Sequence, residues 1–241
     1  MLSMHAPQSP RLLSAALERV VVTGGASGLG LATVEAIREA GGRAFALDLR
    51  ARAEHADERI VDVADRAAVE AALSAIAHDA GGISAVVASA GIDACGAFGD
   101  VAADAWERVI SVNLIGTASL IRAALPHLET TRGHVVTIAS TLGIKAVGDA
   151  TAYCASKFGV VGFSRALAVE LKDRVKVTCM IPGGMHTNFF AGRSEQYKPP
   201  ADWVANQPSD VARAIVFALS QPPHCEIREM VVCPSNEGSW P

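Results

Sequence analysis

Seven short apolar runs recur along the chain, each bounded by glycine or charge: 19–25 (RVVVTGG), 43–48 (RAFALD), 58–63 (ERIVDV), 83–91 (ISAVVASAG), 133–140 (GHVVTIAS), 175–183 (VKVTCMIPG) and 228–235 (REMVVCPS). Such runs suit strands buried on both faces, which a parallel sheet requires. Between them the apolar spacing turns helical. Leu31, Val34 and Ile37 form one stripe; Val69, Leu73 and Ile76 form another, opened from the Asp65 side. Strand and helix alternate from about residue 19 to the end, which predicts one α/β domain over 18–241: a doubly wound (Rossmann) parallel sheet of about seven strands with helices on both faces. Residues 1–17 are expected to form a flexible arm. The stretch 184–207 is too long for a simple connection and reads as a substrate lid.

Composition narrows the partners. The 241 residues are half hydrophobic, enough for a large core, and carry a formal net charge of −4. That balance gives no field for holding nucleic acid or anionic lipid, so a small molecule is the expected partner. No stretch approaches the roughly 18 to 20 uncharged apolar residues of a bilayer span, and the expected location is cytoplasmic. The early arginines carry only a faint organelle-targeting flavour. Cys95, Cys154, Cys179, Cys225 and Cys233 are widely spaced, with no CxxC pair, and read as reduced core thiols. The seven histidines show no metal-ligand spacing, so no metal is expected.

In this architecture ligands bind outside the carboxyl ends of the strands, so chemistry is sought there. Gly24, Gly28 and Gly30 follow the first run and open the first helical segment. Glycine at that turn lets backbone approach a pyrophosphate while the helix start offers free N–H donors, although the spacing departs from GxGxxG. Asp48 closes the second run, where a carboxylate accepts from an adenosine ribose and repels a 2′-phosphate. NAD is therefore expected over NADP, with Arg50 nearby as the residue that would favour NADP.

Tyr153 and Lys157 sit at i and i+4 on one predicted helix and face the same way. A tyrosine titrates at about 10 unperturbed, and a neighbouring cation is expected to lower that, making Tyr153 a usable acid/base. Ser140 closes the fifth run, where its hydroxyl can reach a substrate oxygen. Asn113 lies inside the apolar segment 105–128, where a buried amide must find partners.

These motifs in this order make the chain resemble the short-chain dehydrogenase/reductase family, in its form of about 250 residues. The resemblance runs from about residue 18 to near the C-terminus through TGGASGLG (23–30), Asp62-Val63, ASAG (88–91), Asn113, Ser140, YCASK (153–157) and PGGMHT (182–187). It implies a tetrad of Asn113, Ser140, Tyr153 and Lys157, with Tyr153 as acid/base, Ser140 orienting the substrate oxygen, Lys157 also holding the nicotinamide ribose and Asn113 supporting a water-linked proton relay. It implies cofactor contacts from Gly24, Ser27, Gly28, Leu29, Gly30, Asp48, Leu49, Asp62, Val63, Ala90, Gly91, Tyr153, Lys157, Pro182, Gly183 and Thr187. It also implies homodimers or homotetramers, consistent with the nearly charge-free segments 105–128 and 151–169. One departure is Ala88-Ser89, where the family often has two asparagines.

The expected activity is an NAD(H)-dependent interconversion of a secondary alcohol and a ketone. Two alternatives stand beside it: an NAD-binding sensor or scaffold without turnover, and lyase or epimerase chemistry on the same fold. Met185, Phe189, Phe190, Tyr197 and Trp203 offer apolar contacts for a medium-sized substrate. His186, between two motif residues, reads as an ordinary loop histidine.

Overall fold

The structure is a computed structural model that describes residues 14–50, 57–200 and 202–240. All seven apolar runs form strands: β1 Val20–Thr23, β2 Ala44–Asp48, β3 Glu58–Ile60, β4 Ala85–Ala88, β5 His134–Ile138, β6 Lys176–Pro182 and β7 Glu229–Val232. They pair in parallel in the order β3-β2-β1-β4-β5-β6-β7. The connecting helices are α1 Gly28–Glu39, α2 Arg66–Ala80, α3 Ala103–Ile110, α4 Thr117–Thr131, α5 Thr151–Glu170 and α6 Pro208–Leu219.

The period of two along each strand divides the core between the faces. Val21, Val86, Val135 and Val177 point one way and pack with Val69, Leu73 and Ile76 of α2, Leu120 and Leu128 of α4, and Ala168 of α5. Val22, Val87 and Val136 point the other way, toward Val34 and Ile37 of α1 and Val211 and Ile215 of α6. The register makes each set contiguous, since Val21 opposes Val86 and Val86 opposes Val135. A one-residue slip would exchange the two sets and leave each helix facing the wrong side chains.

Several expectations are corrected. The apolar segment 105–128 is not one regular helix: α3 passes through a π-helical stretch, Ser111–Gly116, before α4 begins. An 18-residue window of the run Ala103–Thr131 also reaches a mean hydropathy of 1.5, which by length and composition would suffice to cross a membrane. Within the fold, α4 packs beside α2 and against strands β4 and β5, and 44% of that window is buried. Residues 1–13 of the expected arm lie outside the described residues, but its end is docked. Ser14 Oγ donates to the Leu219 carbonyl at 3.0 Å, and Leu17 is buried in the α1/α6 side of the core. All five cysteines are free, yet only Cys154 and Cys179 are buried. Cys95, Cys225 and Cys233 fall in connections beyond strand ends, where the two helical layers no longer cover the chain.

His134 at the start of β5 is a buried polar group away from the ligand edge. Its Nε2 lies 2.8 Å from Thr178 Oγ1, whose hydroxyl donates to the Ile227 carbonyl at 2.6 Å, so the imidazole is the donor in that pair. Burial, with Lys176 adding, pushes its pKa down to about 3 from 6.5. The folded chain therefore refuses a proton that the unfolded chain binds between those values; stability is complete above pH 6.5 and declines as pH falls toward 3. Between pH 7 and pH 5 the wild type should lose about 2 kcal/mol that His134→Gln does not lose. Urea titrations at both pH values test this; equal losses in the two proteins would refute it.

Candidate active site

The sheet order reverses between β1 and β4, so the crevice of this fold opens beyond their carboxyl ends. Gly24 leaves β1 with φ +68°, and a Cβ there would lie 3.0 Å from Ala90 Cα in the loop after β4. Gly30, one turn into α1, would place a Cβ 2.1 Å from the Gly24 carbonyl oxygen. The two loops are thus in backbone contact across the switch point, and Ala90 N–H donates to Thr23 Oγ1 at 3.1 Å. Ser27 precedes α1 without a side-chain cap, so the N–H groups opening that helix keep no side-chain acceptor. Such a start is an anion site, and with the close glycine turn it fits a dinucleotide pyrophosphate. Thr187 lies across the same loop, its Cγ2 3.5 Å from where a Gly28 Cβ would be. Leu29, the residue between these two glycines, is buried in the core and holds the loop down.

The residues expected at the adenosine side are equally well held. Asp48 ends β2 with one oxygen accepting from Ala26 N–H and the other from Arg50 N–H, both at 3.1 Å. The carboxylate is held between the glycine loop and its own strand end, and the adjoining Leu49 is exposed. Asp62 accepts from Ala64 N–H at 2.9 Å, and Arg108 Nη2 on α3 contacts both its oxygens at 2.9 and 2.7 Å. Burial would raise this carboxyl, but those two donors outweigh it and hold the group below its usual range. Val63 beside it is buried against the π-helical stretch, where a Cβ on Gly116 would meet it at 2.9 Å.

Three of the four expected catalytic residues, Ser140, Tyr153 and Lys157, meet at the carboxyl edge of β5, and Asn113 binds the loop after β4. Lys157, 4% exposed, reaches from α5 to the Ile138 carbonyl at 2.8 Å, and its Nζ is 5.4 Å from the Tyr153 ring centroid. Burial pushes its pKa down to about 8. Ser140, two residues beyond Ile138, turns the chain, its Oγ accepting from Leu142 N–H at 3.1 Å. Tyr153 differs from expectation: burial pushes its phenol above the ordinary value, and a hydrogen bond from Ser140 only partly opposes this.

Asn113 is fully engaged. Its Nδ2 donates to the Ile92 carbonyl at 2.9 Å and Ser156 Oγ at 3.0 Å, while Oδ1 accepts from Ile92 N–H at 2.9 Å. Ser156 in turn donates to the Tyr153 carbonyl at 2.8 Å. The Asn113 side chain therefore joins the loop after β4 to the helix of Tyr153, with no donor left for substrate. Gly91 faces this junction: a Cβ there would lie 3.5 Å from Asn113 Oδ1 and 3.7 Å from Lys157 Nζ.

Beyond Pro182, which pairs with Val232, Gly183 N–H donates to the Val232 carbonyl and Gly184 N–H to Glu237 Oε2 at 2.8 Å. The expected lid then crosses the site through the 3-10 turns Asn188–Phe190 and Glu195–Tyr197, its ends joined by a parallel bridge between Met185 and Asn206. Phe189 lies 5.6 Å from the Tyr153 ring, and Phe190 stacks edgewise on Trp203 at 5.3 Å. His186 is exposed and sits edgewise on Trp203. Sequence reading missed Arg108, Ser156, Asp93, Arg193 and Glu237. Only Ser156 had a local signal, being one helical turn from Tyr153; the others meet partners distant in the chain.

Comparison with known proteins agrees with this geometry. The family model described as short chain dehydrogenase matches residues 18–198. An uncharacterized oxidoreductase of Staphylococcus aureus (strain MW2) is 31% identical over 226 residues, covering 89% of this chain and 96% of that protein. The closed form of a serine dehydrogenase complexed with NADP+ superposes with a TM-score of 0.81 at 27% identity, over 89% of this chain and 94% of that one. The aldohexose dehydrogenase of Thermoplasma acidophilum shares the fold at a TM-score of 0.80 and 24% identity, over 92% and 94% of the two chains. With its cofactor cradle and its Ser140, Tyr153 and Lys157 on one edge, the chain belongs to the short-chain dehydrogenase/reductase family and is a nucleotide-binding oxidoreductase of that family.

Proposed function

We propose that the chain interconverts a secondary alcohol and a ketone, with NAD(H) as the preferred cofactor and Tyr153 as the general acid/base. The observation that carries this reading is the meeting of Ser140, Tyr153 and Lys157 at the carboxyl edge of β5, with Lys157 Nζ 5.4 Å from the Tyr153 ring centroid, beside the dinucleotide cradle. A bound nicotinamide supplies the hydride acceptor or donor for such chemistry. The protein supplies the proton and the alignment. In oxidation, Tyr153 takes the hydroxyl proton; in reduction, it returns that proton to the carbonyl oxygen. Ser140 donates to the same oxygen and fixes its position. Lys157 keeps donors beyond the one given to Ile138, free for the nicotinamide ribose. The Asn113 carbonyl accepts from Thr117 Oγ1 at 2.8 Å and retains a second lone pair for a relay water. The raised phenol suits the acid direction and falls toward the base direction once positive charge is bound beside it.

The NAD preference rests on Asp48. Its carboxylate stands at the ribose end of the cradle, where it accepts from hydroxyls and repels a phosphate. The same reading takes the chain as a homodimer or homotetramer, because Ile115 and Phe158 are 54% and 44% exposed on the otherwise apolar Ser111–Gly116 and α5. Light scattering of the purified protein should give a mass of two or four chains; a monomer at micromolar concentration would refute it.

Tyr153→Phe should lower kcat about 10²- to 10⁴-fold while leaving NADH affinity nearly unchanged, since only the titrating hydroxyl is lost. Steady-state NADH absorbance with a panel of ketones and secondary alcohols reads the first effect, and NADH fluorescence the second. Retention of turnover in the variant would sink the assignment. Asp48→Asn keeps an acceptor for Ala26 N–H and removes the charge, so the NAD over NADP preference in kcat/KM should fall by about tenfold or more. An unchanged ratio would show that another group reads the ribose.

A further inference from the structure

Asp93 and Arg193 meet over the catalytic tyrosine from opposite sides of the mouth. Asp93 follows β4 and its side chain is only 5% exposed; Arg193 belongs to the lid and its side chain is 18% exposed. Arg193 Nη2 donates to Asp93 Oδ2 at 2.5 Å. Asp93 is further held by Ala94 N–H at 2.7 Å and the Cys95 thiol at 3.0 Å. The guanidinium lies 5.2 Å from the Phe189 ring centroid and 4.5 Å from that of Phe190, and Phe189 rests on Tyr153. Arg193 Nε is buried without a partner among the described residues, so the guanidinium is oriented by the carboxylate and the two rings.

The pair has electrostatic reach. Asp93 and Arg193 both act on the Tyr153 phenol, with opposite sign. With Lys157 turned to the Ile138 carbonyl, the charges of the lid side cancel within one salt bridge. An anionic group beside the reacting carbon would have to draw Arg193 away, leaving a nearly buried carboxylate uncompensated, which is strongly unfavourable. A neutral group leaves the bridge intact.

We propose that Asp93 and Arg193 are specificity-determining residues whose ion pair closes the lid over Tyr153 and reserves the site for substrates uncharged next to the reacting carbon. This rests on the alcohol and ketone reading above and narrows its substrate class. Asp93 excludes anions by holding Arg193 occupied, a repulsive element of the kind that specificity requires.

The test uses binding, so that it does not depend on turnover. The NADH-loaded protein is titrated with isobutyramide, a neutral carbonyl probe, and isobutyrate, its anionic counterpart, and the ratio of the two Kd values is read from NADH fluorescence. Wild type should favour the amide. Asp93→Asn, which keeps an acceptor for Ala94 N–H, frees the cation and should shift the ratio toward isobutyrate by about tenfold or more. Arg193→Met, which keeps a long apolar stem against Phe189 and Phe190, leaves the carboxylate alone and should shift it the other way. A lid merely loosened by either change would move both variants in the same direction. Preference of the wild type for isobutyrate, shifts of the same sign, an unmoved ratio in either variant that folds, or no measurable amide binding by wild type would each overturn the proposal. Opposite shifts without turnover of any alcohol would uphold it and count against the alcohol and ketone reading alone.

Discussion

The hydrogen bond from Lys157 to the Ile138 carbonyl ties α5 to the end of β5, and the active site is arranged around that tie. A lysine only 4% exposed must find an acceptor, and burial has already brought its pKa down to about 8. The carbonyl it finds is two residues before Ser140. With Lys157 anchored there, Tyr153 one turn earlier lies within hydrogen-bonding reach of Ser140. Gly143 makes this approach possible, because a Cβ there would meet the Lys157 carbonyl at 2.7 Å.

A second tie comes from Asn113. The π-helical stretch between α3 and α4 carries it into the interior, where its amide clamps Ile92 and Ser156. The loop after β4, which lies against the glycine turn, and the helix of Tyr153 are thereby fixed to one side chain. Widened helical turns of this kind recur at functional sites, and here the widening places a polar residue within an apolar run. The glycine turn and Tyr153 are thus parts of one hydrogen-bonded frame, as the proposed transfer of hydride and proton at adjacent atoms requires.

The lid works differently from the frame. It is held by rings, the Asp93–Arg193 ion pair and side-chain hydrogen bonds from Tyr197 to Asp149 and from Asn206 to the Val232 carbonyl rather than by backbone ladder, apart from the Met185 to Asn206 bridge. Gly184 is pressed between two elements that meet nowhere in sequence: a Cβ would lie 2.0 Å from the Trp203 ring, and its N–H is held by Glu237 of the tail. The segment 184–207 is thus held by contacts from several distant parts of the chain.

The sequence by itself determined the sheet, the faces of its helices, and the edge that carries chemistry, because period and punctuation are local. Seven apolar runs became seven strands, and Gly24, Asp48 and Ser140 fell at or just beyond strand ends, where chain order put them. It also told the family, since TGGASGLG, YCASK and PGGMHT stand in order along the chain. Tertiary structure alone decided how charges are balanced. Lys157 lies one turn from Tyr153, yet burial is the largest influence on the phenol and raises it. Asp62 is neutralised by Arg108, 46 positions away, and Asp93 by Arg193, 100 positions away. Desolvation and ion pairing depend on what the fold brings within a few ångströms, and no periodicity along the chain encodes that distance.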